Sequence, residues 1–310
     1  SRKTFKGSFS AETQVYSGAR TAMSLSIQWG IRRTVTGFNP KEQAKRVLDM
    51  KAFVAELLGT MMLCTVGCGA AMAYGPVNGP TRLVVAFAFG ISVLSIAYSV
   101  GHHSGGQLNP AVTLSLVLGK AVPWYQGLLN FVAQMIGSLL AGGLLCVIYP
   151  CEADLTTNLA SNMASPGYTD VQCVIAEAMG TFMLCFTVWE NAVTPISSCG
   201  KNACIAIGMA VFVGVLTLLP VTGCSINPAR SFGPAVVASL RGCDNYTAGG
   251  LDDLWIMFVG PFLGAAVAAL AHRPFVPSQS EIDFKKNGGA NTAPPPPENP
   301  PPGVSRVMDL

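Results

Sequence analysis

Residues 104–112 read SGGQLNPAV and residues 222–230 read TGCSINPAR, so an Asn-Pro-Ala tripeptide follows a Gly-containing turn twice in this chain. Each tripeptide opens a short apolar run, 109–118 and 227–238, which is about 15–18 Å of helix and only half of a bilayer core of roughly 30 Å. A helix that starts inside a membrane exposes backbone N–H groups that lipid cannot satisfy. Two such starts in equivalent places therefore indicate that both face a water-filled passage.

The composition is that of a membrane protein. Half of the 310 residues are hydrophobic and only 11% are charged, with a mean hydropathy of +0.45, whereas soluble domains carry about 25% charged residues. Ten of the 19 Lys and Arg residues lie in the segment 1–51. This bias is typical of a cytoplasmic amino terminus rather than of a nucleic-acid-binding surface, so no nucleic-acid partner is expected.

Six stretches have the length of about 20 residues and the low polarity that a transmembrane helix requires. They cover 52–73, 82–101, 124–148, 171–193, 202–221 and 253–273. With the two half-helices they predict an all-α membrane protein, with six transmembrane helices plus two re-entrant half-helices. The expected channel domain is 52–273. The basic segment 1–51 is expected to be a cytoplasmic extension, and the Pro-rich segment 274–310 a disordered cytoplasmic tail.

The two halves of the channel domain, 52–150 and 171–273, resemble each other. AELLGTMMLC at 55–64 and AEAMGTFMLC at 176–185 share seven of ten residues. Each half holds three spans and one half-helix in the same order, and because three is odd the second half enters the membrane from the opposite side. The sequence therefore predicts an inverted 3+3 repeat whose half-helices come from opposite faces and meet near the midplane.

The residues of the two tripeptides suit a helix start at that midplane. Proline fits the first helical position, where no N–H is needed, and asparagine before it is a strong N-cap. The asparagine oxygen can accept from a helix N–H, which leaves its NH₂ group for the passage, and the small alanine lets the two starts touch. The predicted residues of the pore are Asn109, Pro110, Ala111, Asn227, Pro228 and Ala229.

Two amide donors and two positive helix ends at one level would act on solutes that pass in single file. The donors of Asn109 and Asn227 would turn the oxygen of a central water molecule toward themselves, so that this molecule cannot relay a proton. The helix ends would repel H₃O⁺ and other cations. Neutral molecules meet neither barrier, and the motif pair therefore predicts a passive channel that excludes protons.

Ionisable side chains in and near the spans are candidates for functional positions. Arg230 follows the second tripeptide, where a cation opposes the helix dipole, and no acid is near it in the sequence, so a pore-facing role is favoured over a buried ion pair. Glu56 and Glu177 occupy equivalent positions in the two halves, which favours accepting hydrogen bonds from the re-entrant loops over carrying protons. His102 precedes the first half-helix and either lines the inner vestibule or is satisfied within its loop.

The ten cysteines form no metal-ligand pattern, and no nucleophile–base pair or cofactor-binding loop stands out, so no metal, cofactor or enzymatic activity is expected. Most cysteines lie in apolar runs, where cysteine acts as a small hydrophobe. Cys151 and Cys243 fall in polar connections that the topology puts on the outer side, where a disulfide between them can form. Asn245 begins an Asn-Tyr-Thr glycosylation sequon on the same side.

Residues 52–273 resemble the aquaporin, or major intrinsic protein, family. The resemblance rests on SVGHHSGGQLNPAVT at 99–113 and TGCSINPARSFG at 222–233. It implies an integral multi-pass protein in the plasma membrane or an organelle membrane, with both termini cytoplasmic, that contacts lipid and forms a homotetramer with one pore in each subunit. It also implies an aromatic/arginine filter near the outer end of the pore, formed by Phe89, Val215, Cys224 and Arg230.

This filter departs from that of water-strict members of the family, which carry histidine at the position of Val215, so a wider constriction is expected. Ser231, Ala235 and Phe258 resemble the water-conducting group, and Cys224 has the position at which mercurials block many members. The resemblance implies a water channel that also passes small neutral solutes such as hydrogen peroxide, ammonia or urea. A glycerol-conducting channel is the alternative within the family, and a secondary transporter with titratable midplane groups is the alternative outside it.

Overall fold

The computed structural model describes residues 48–75, 79–248 and 250–286. Almost all of the basic segment 1–51, and residues 287–310 of the Pro-rich tail, lie outside these ranges. The described residues form helices and connecting turns without a β-strand. The prediction of an all-α architecture is therefore confirmed.

The predicted spans and half-helices are found to within about three residues, when the π-helical turn Trp189–Val193 is counted with the fourth span. In chain order the α-helices of the described residues are α1 (Met50–Tyr74), α2 (Gly79–Ser104), α3 (Pro110–Leu118), α4 (Trp124–Ile148), α5 (Asp170–Val188), α6 (Ala203–Thr222), α7 (Pro228–Arg241), α8 (Ile256–Ala271) and α9 (Gln279–Lys286). Helix α5 continues through a π-helical turn, Trp189–Val193. Six of these helices, α1, α2, α4, α5, α6 and α8, are long and apolar enough to cross a membrane when the short turns that extend α5, α6 and α8 are included.

The half-helices α3 and α7 begin at the prolines of the two tripeptides. Asn109 is extended at φ −158° and its side chain accepts from Ala111 N, and Asn227 is extended at φ −152° and accepts from Ala229 N and Arg230 N. Both asparagines are therefore N-caps, which satisfy backbone donors that the helix leaves free. The helix starts lie inside the bundle, since the first two residues of each half-helix are buried.

Helix packing repeats between the halves. Helix α1 packs on α2 and α4, and α5 makes the equivalent contacts with α6 and α8. The halves meet where α2 packs on α6, and each half-helix lies against the last span of the other half, α3 on α8 and α7 on α4. The half-helices are thus held by the opposite repeat, which brings their N-terminal ends together.

Glycines permit the closest of these crossings. A Cβ at Gly137 of α4 would overlap the carbonyl of Leu57 in α1, and a Cβ at Gly264 of α8 would overlap the carbonyl of Ala178 in α5. Leu57 and Ala178 are separated by the repeat offset of 121 residues (178 − 57), so the same close crossing occurs in both halves. Small residues allow membrane helices to approach in this way.

A disulfide, which the sequence left open, joins the connections that follow α4 and α7. Cys151, which follows α4, is bonded to Cys243, which follows α7, with 5.8 Å between the Cα atoms. The bond therefore ties the end of a span in the first half to the end of the half-helix in the second half.

The described part of the tail, 274–286, contains a short helix, and the expectation of disorder for the tail as a whole stays a prediction. A 3-10 turn, Arg273–Phe275, leads into helix α9. Ser278 N donates to Glu281 Oε2 at 2.7 Å and Glu281 N donates to Ser278 Oγ at 3.4 Å, which is the reciprocal pattern of a capping box and accounts for the helix start. The hydrogen bond from the Ser278 hydroxyl holds the pKa of Glu281 below its ordinary value.

Candidate functional site

The two Asn-Pro-Ala starts contact each other through their asparagine side chains. Asn109 Nδ2 donates to the carbonyl oxygen of Ile226 at 2.8 Å, and Asn227 Nδ2 donates to that of Leu108 at 2.9 Å. An NH₂ group has two hydrogens. The sequence interpretation assigned the whole NH₂ group to the passage, but one hydrogen of each binds the opposite loop, because a backbone carbonyl of that loop lies within reach.

Glu56 of α1 holds the loop before α3. Its Oε1 accepts from Ser104 Oγ at 2.5 Å and Gln107 N at 2.9 Å, and its Oε2 accepts from Leu108 N at 2.6 Å and Gln134 Nε2 at 2.7 Å. The residue is fully buried. These hydrogen bonds satisfy the buried carboxylate, and they also satisfy backbone N–H groups of the loop that have no partner within a helix.

Glu177 of α5 holds the second loop in the same manner. Its Oε1 accepts from Thr222 Oγ1 at 2.5 Å and Ser225 N at 2.8 Å, and its Oε2 accepts from Ile226 N at 2.6 Å. Neither Glu177 nor Glu56 is among the residues that line the central cavity. Their hydrogen bonds go to the loops, which is the geometry of a scaffold rather than of a proton relay.

A narrow cavity of about 60 Å³ passes the two tripeptides. Such a volume holds only a few water molecules. Its wall is largely aliphatic, with Leu63, Val93 and Leu116 among its residues. The polar and constricting residues predicted from the sequence are gathered in the same wall: Asn109, Asn227, Phe89, Val215, Cys224 and Arg230.

The remaining tripeptide residues lie behind this wall. Pro110, Ala111, Pro228 and Ala229 are buried in the first turns of α3 and α7 and are not among the lining residues. Ser138 of α4 donates to the carbonyl oxygen of Ala229, which fixes α7 against the first half. The prolines and alanines thus shape and seat the helix starts, and only the asparagines reach the cavity.

Arg230 is held over an aromatic ring without an acidic partner. Its Cζ is 5.0 Å from the centroid of Phe89, within the range of a cation–π contact. Its Nη1 donates to the carbonyl oxygen of Ala160 at 2.8 Å. The ion pairs of the described residues do not include Arg230, so the alternative of a buried ion pair is not realised in this part of the chain.

A polar network behind α3 was not predicted from the sequence. Thr113 Oγ1 donates to Gln107 Oε1 at 2.7 Å, Asn130 Nδ2 donates to the same oxygen at 3.3 Å, and Gln134 Nε2 donates to Thr113 Oγ1 at 2.9 Å. Asn130 and Gln134 are one helical turn apart in a largely apolar span. That spacing was the signal that could have identified the network.

His102 lies apart from the cavity. It is exposed at the end of α2, and its ring centroid is 3.8 Å from that of His103. Neither histidine is among the lining residues, so a vestibule role for His102 stays a prediction.

Charged groups are scarce along the cavity. Of the described residues that line it, Arg230 alone carries a charge at neutral pH. Within the same part of the chain, no group of three or more His, Cys, Asp or Glu could hold a metal ion. The described residues of the cavity wall therefore include no acidic side chain.

Comparison with known proteins gives a consistent answer. The model of the family described as major intrinsic protein matches residues 43–272. Aquaporin-5 of Sus scrofa is 34% identical over 234 residues, which cover 75% of this chain and 83% of that protein. Aquaporin-1 of Homo sapiens is 36% identical over 235 residues, covering 74% and 82%, and aquaporin Z of Rhodopseudomonas palustris is 35% identical over 243 residues, covering 76% and 97%.

Among solved structures, the aquaglyceroporin from Plasmodium falciparum superimposes with a TM-score of 0.65 at 18% identity, covering 76% of this chain and 99% of that one. This likeness supports the fold, and the sequence relatives supply the family. The chain therefore belongs to the aquaporin, or major intrinsic protein, family, and is an integral multi-pass membrane channel for water or small solutes, a passive transporter and not an enzyme.

Proposed function

We propose that this protein conducts water in single file across a membrane and excludes protons. One observation carries the proposal: the crossed hydrogen bonds from Asn109 to the Ile226 carbonyl and from Asn227 to the Leu108 carbonyl, beside a cavity that both asparagines line. These bonds keep the two helix starts side by side, so that their positive ends act on one level of the cavity. The small volume of the cavity supports passage in single file.

Proton exclusion follows from what the two amides can still do. The amide oxygens of Asn109 and Asn227 already accept from helix N–H groups, and one hydrogen of each NH₂ group binds the opposite loop. The remaining hydrogen of each can only donate. A water molecule between them accepts two hydrogen bonds through its oxygen and so cannot accept a proton from the next water, while the helix ends raise the energy of a cation there.

The proposed filter supports small neutral solutes beside water. Arg230 provides donors and a positive charge, and Phe89 and Val215 provide apolar walls. Valine offers no hydrogen bond where water-strict relatives have histidine, so uncharged molecules such as hydrogen peroxide, ammonia or urea meet a less selective constriction. Glycerol is the second candidate, because the apolar side formed by Phe89 and Val215 suits its carbon chain while Arg230 suits its hydroxyl groups.

We propose further a homotetramer in the plasma membrane with both termini cytoplasmic. Disulfides persist in oxidising compartments, so the bond between Cys151 and Cys243 supports an outer position for the ends of α4 and α7. Helix α1 runs parallel to α4 in this topology, and its start is then on the cytoplasmic side, as the basic segment 1–51 favours. Apolar side chains such as Val54, Leu128 and Val267 are at least half exposed on the spans, which suits lipid and neighbouring subunits.

Stopped-flow light scattering on proteoliposomes tests the proposal in parallel gradients of sucrose, urea and glycerol, with hydrogen peroxide entry followed by an internal fluorescent probe. We expect linear water flux of low activation energy, exclusion of sucrose, and no proton flux reported by an internal pH dye. Val215→Trp, which should fill the constriction, is the matched control and should abolish the flux. Water flux no higher than that of empty vesicles would refute the proposal, and saturable or ion-dependent flux would favour a secondary transporter.

A further inference from the structure

The proposed filter arginine is held from outside the cavity wall by the carbonyl oxygen of Ala160. Arg230 Nη1 donates to this oxygen at 2.8 Å, and Arg230 Nε has no hydrogen-bond partner among the described residues. Ala160 itself is not among the residues that line the cavity. The position of the guanidinium over Phe89 therefore depends on a backbone segment that is not part of the passage.

Asp154 stabilises the backbone conformation of the segment that contains Ala160 through hydrogen bonds. Leu159 and Ala160 both have φ +55°, which residues other than glycine rarely adopt. Asp154 Oδ1 accepts from Thr156 N at 3.0 Å and Thr156 Oγ1 at 2.6 Å, and Asp154 Oδ2 accepts from Leu159 N at 2.8 Å. Ala160 N in turn donates to Thr156 Oγ1 at 2.8 Å. Asp154 thus fixes the turn that presents the Ala160 carbonyl.

Asp154 is fastened to the far end of α7. Its Oδ2 is 3.4 Å from Nη1 of Arg241, the last residue of α7, and both side chains are at least nine-tenths buried. Arg241 also donates through Nη2 to the carbonyl of Tyr149. The disulfide between Cys151 and Cys243 joins the same two segments. We name the four residues Cys151, Asp154, Arg241 and Cys243 the outer clamp.

Helix α7 connects the outer clamp to the filter. The helix carries Arg230 in its first turn and Arg241 at its end, eleven residues later (241 − 230) and about 16 Å along the axis. On the other side of Ala160, Asn162 Nδ2 donates to the Thr222 carbonyl at 3.0 Å, and Asn162 Oδ1 accepts from Ser231 Oγ at 2.7 Å. The outer clamp is therefore one of two anchors that set the distance between the Ala160 carbonyl and Arg230.

We propose that the outer clamp sets the solute cutoff of the channel, by fixing Arg230 through the Ala160 carbonyl. This inference rests on the proposed function of Phe89, Val215, Cys224 and Arg230 as the filter. When the outer clamp is open, the guanidinium is free to move away from Phe89, and the constriction widens for solutes larger than water. Urea and glycerol permeability should then rise more than water permeability.

Reduction of the disulfide in the assembled channel tests the proposal without refolding the protein. Wild-type protein in phosphatidylcholine vesicles is treated with a membrane-impermeant phosphine, and the reduction is verified by alkylation of Cys151 and Cys243 and mass spectrometry. The ratio of urea to water permeability should rise about fivefold, the change that corresponds to roughly 1 kcal/mol or one hydrogen bond. The double variant Cys151→Ser, Cys243→Ser should show the raised ratio already and should not respond to the phosphine.

Matched variants separate the outer clamp from other effects. Cys199→Ser removes a free cysteine in the connection between α5 and α6, so its channel should respond to the phosphine as wild type does. Arg241→Lys keeps the cation and should keep a ratio near that of wild type, whereas Arg241→Gln should raise it. In an Arg230→Val background the phosphine should leave the ratio unchanged, because the outer clamp acts through Arg230.

Three results would overturn the inference. The first is a constant ratio in both the reduced wild type and Arg241→Gln. The second is an equal fall of the two permeabilities, which would mean that the outer clamp only stabilises the fold, and the third is a fivefold rise in the Arg230→Val background.

Absence of water flux from untreated wild type would instead refute the proposed function. The outer clamp would then be tested by the rate at which a methanethiosulfonate modifies Cys224, which should rise about fivefold in Arg241→Gln and would count against the inference if unchanged.

Discussion

Replacing Glu177 by glutamine should weaken the second re-entrant loop. Glu177 is fully buried and accepts from Thr222 Oγ1 at 2.5 Å, Ser225 N at 2.8 Å and Ile226 N at 2.6 Å. Glutamine keeps one oxygen, and its NH₂ group must face at least one backbone N–H. A hydrogen bond to a charged group contributes roughly 1.5–3 kcal/mol, and an unsatisfied buried donor costs about 1–3 kcal/mol. We therefore expect the free energy of unfolding to fall by roughly 3 kcal/mol.

Thermal unfolding in detergent, followed by circular dichroism, measures this loss. One kcal/mol shifts the midpoint by about 2–4 °C in a chain of this size, so the expected shift is about 6–12 °C. Water permeability should fall as well, because the Ile226 carbonyl that binds Asn109 belongs to the same loop. Glu190→Gln is the matched control, since Glu190 follows α5 and its side chain is 26% exposed beside His272.

Equal unfolding midpoints for the Glu177→Gln and Glu190→Gln variants, with wild-type water permeability in both, would refute this reasoning. Glu56→Gln provides an independent repeat in the first half, where the carboxylate accepts from Gln107 N and Leu108 N. If the unfolding midpoint falls in only one of the variants Glu56→Gln and Glu177→Gln, the two carboxylates do not have the same role.

Three further perturbations address the cavity wall. Val215→His should lower urea and glycerol permeability relative to water, because a larger polar ring replaces part of the apolar wall; an unchanged solute profile would mean that this side chain does not set the cutoff. Cys224→Ser should abolish inhibition by mercurials, since Cys224 is the cysteine among the described lining residues; a block that persists would remove Cys224 from the pore wall. Asn227→Asp keeps the helix cap but puts a negative charge where the two positive helix ends meet, an interaction of roughly 4 kcal/mol with a cation at 4 Å and an effective dielectric of 20. Proton entry, measured with an internal pH dye, should therefore appear in this variant, and proton tightness equal to wild type would contradict the electrostatic barrier.

The spans and half-helices could be predicted because their causes are local. An apolar run of about 20 residues crosses a bilayer whatever its neighbours are, and the Asn-Pro pairs cap and start a helix by themselves. The order of elements within each half, together with an odd number of spans, was enough to predict the inversion of the second half. The short helix α9 was not predicted, because it starts at a capping box between Ser278 and Glu281 in a polar segment without an apolar face.

The candidate site could be predicted in its residues but not in its contacts. The positions of Asn109, Asn227 and Arg230 follow from the motifs, and the likeness of the two halves pointed to Glu56 and Glu177 as partners of the loops. The crossed bonds of the asparagines and the bond from Arg230 to Ala160 were not foreseen. In each case the acceptor is a backbone carbonyl. Because every residue has a backbone carbonyl, the sequence does not indicate which one accepts the hydrogen bond.

What the sequence by itself determined is the set of helices, their inverted order and the chemical groups at the two helix starts, because hydropathy, helix capping and repeat symmetry act over short stretches of chain. What only the tertiary structure decided is how those groups are held. Asn109 is 117 residues from Ile226, and Arg230 is 70 residues from Ala160. Contacts over such separations depend on how α3 and α7 pack against the opposite repeat, and no local pattern in the chain records that packing.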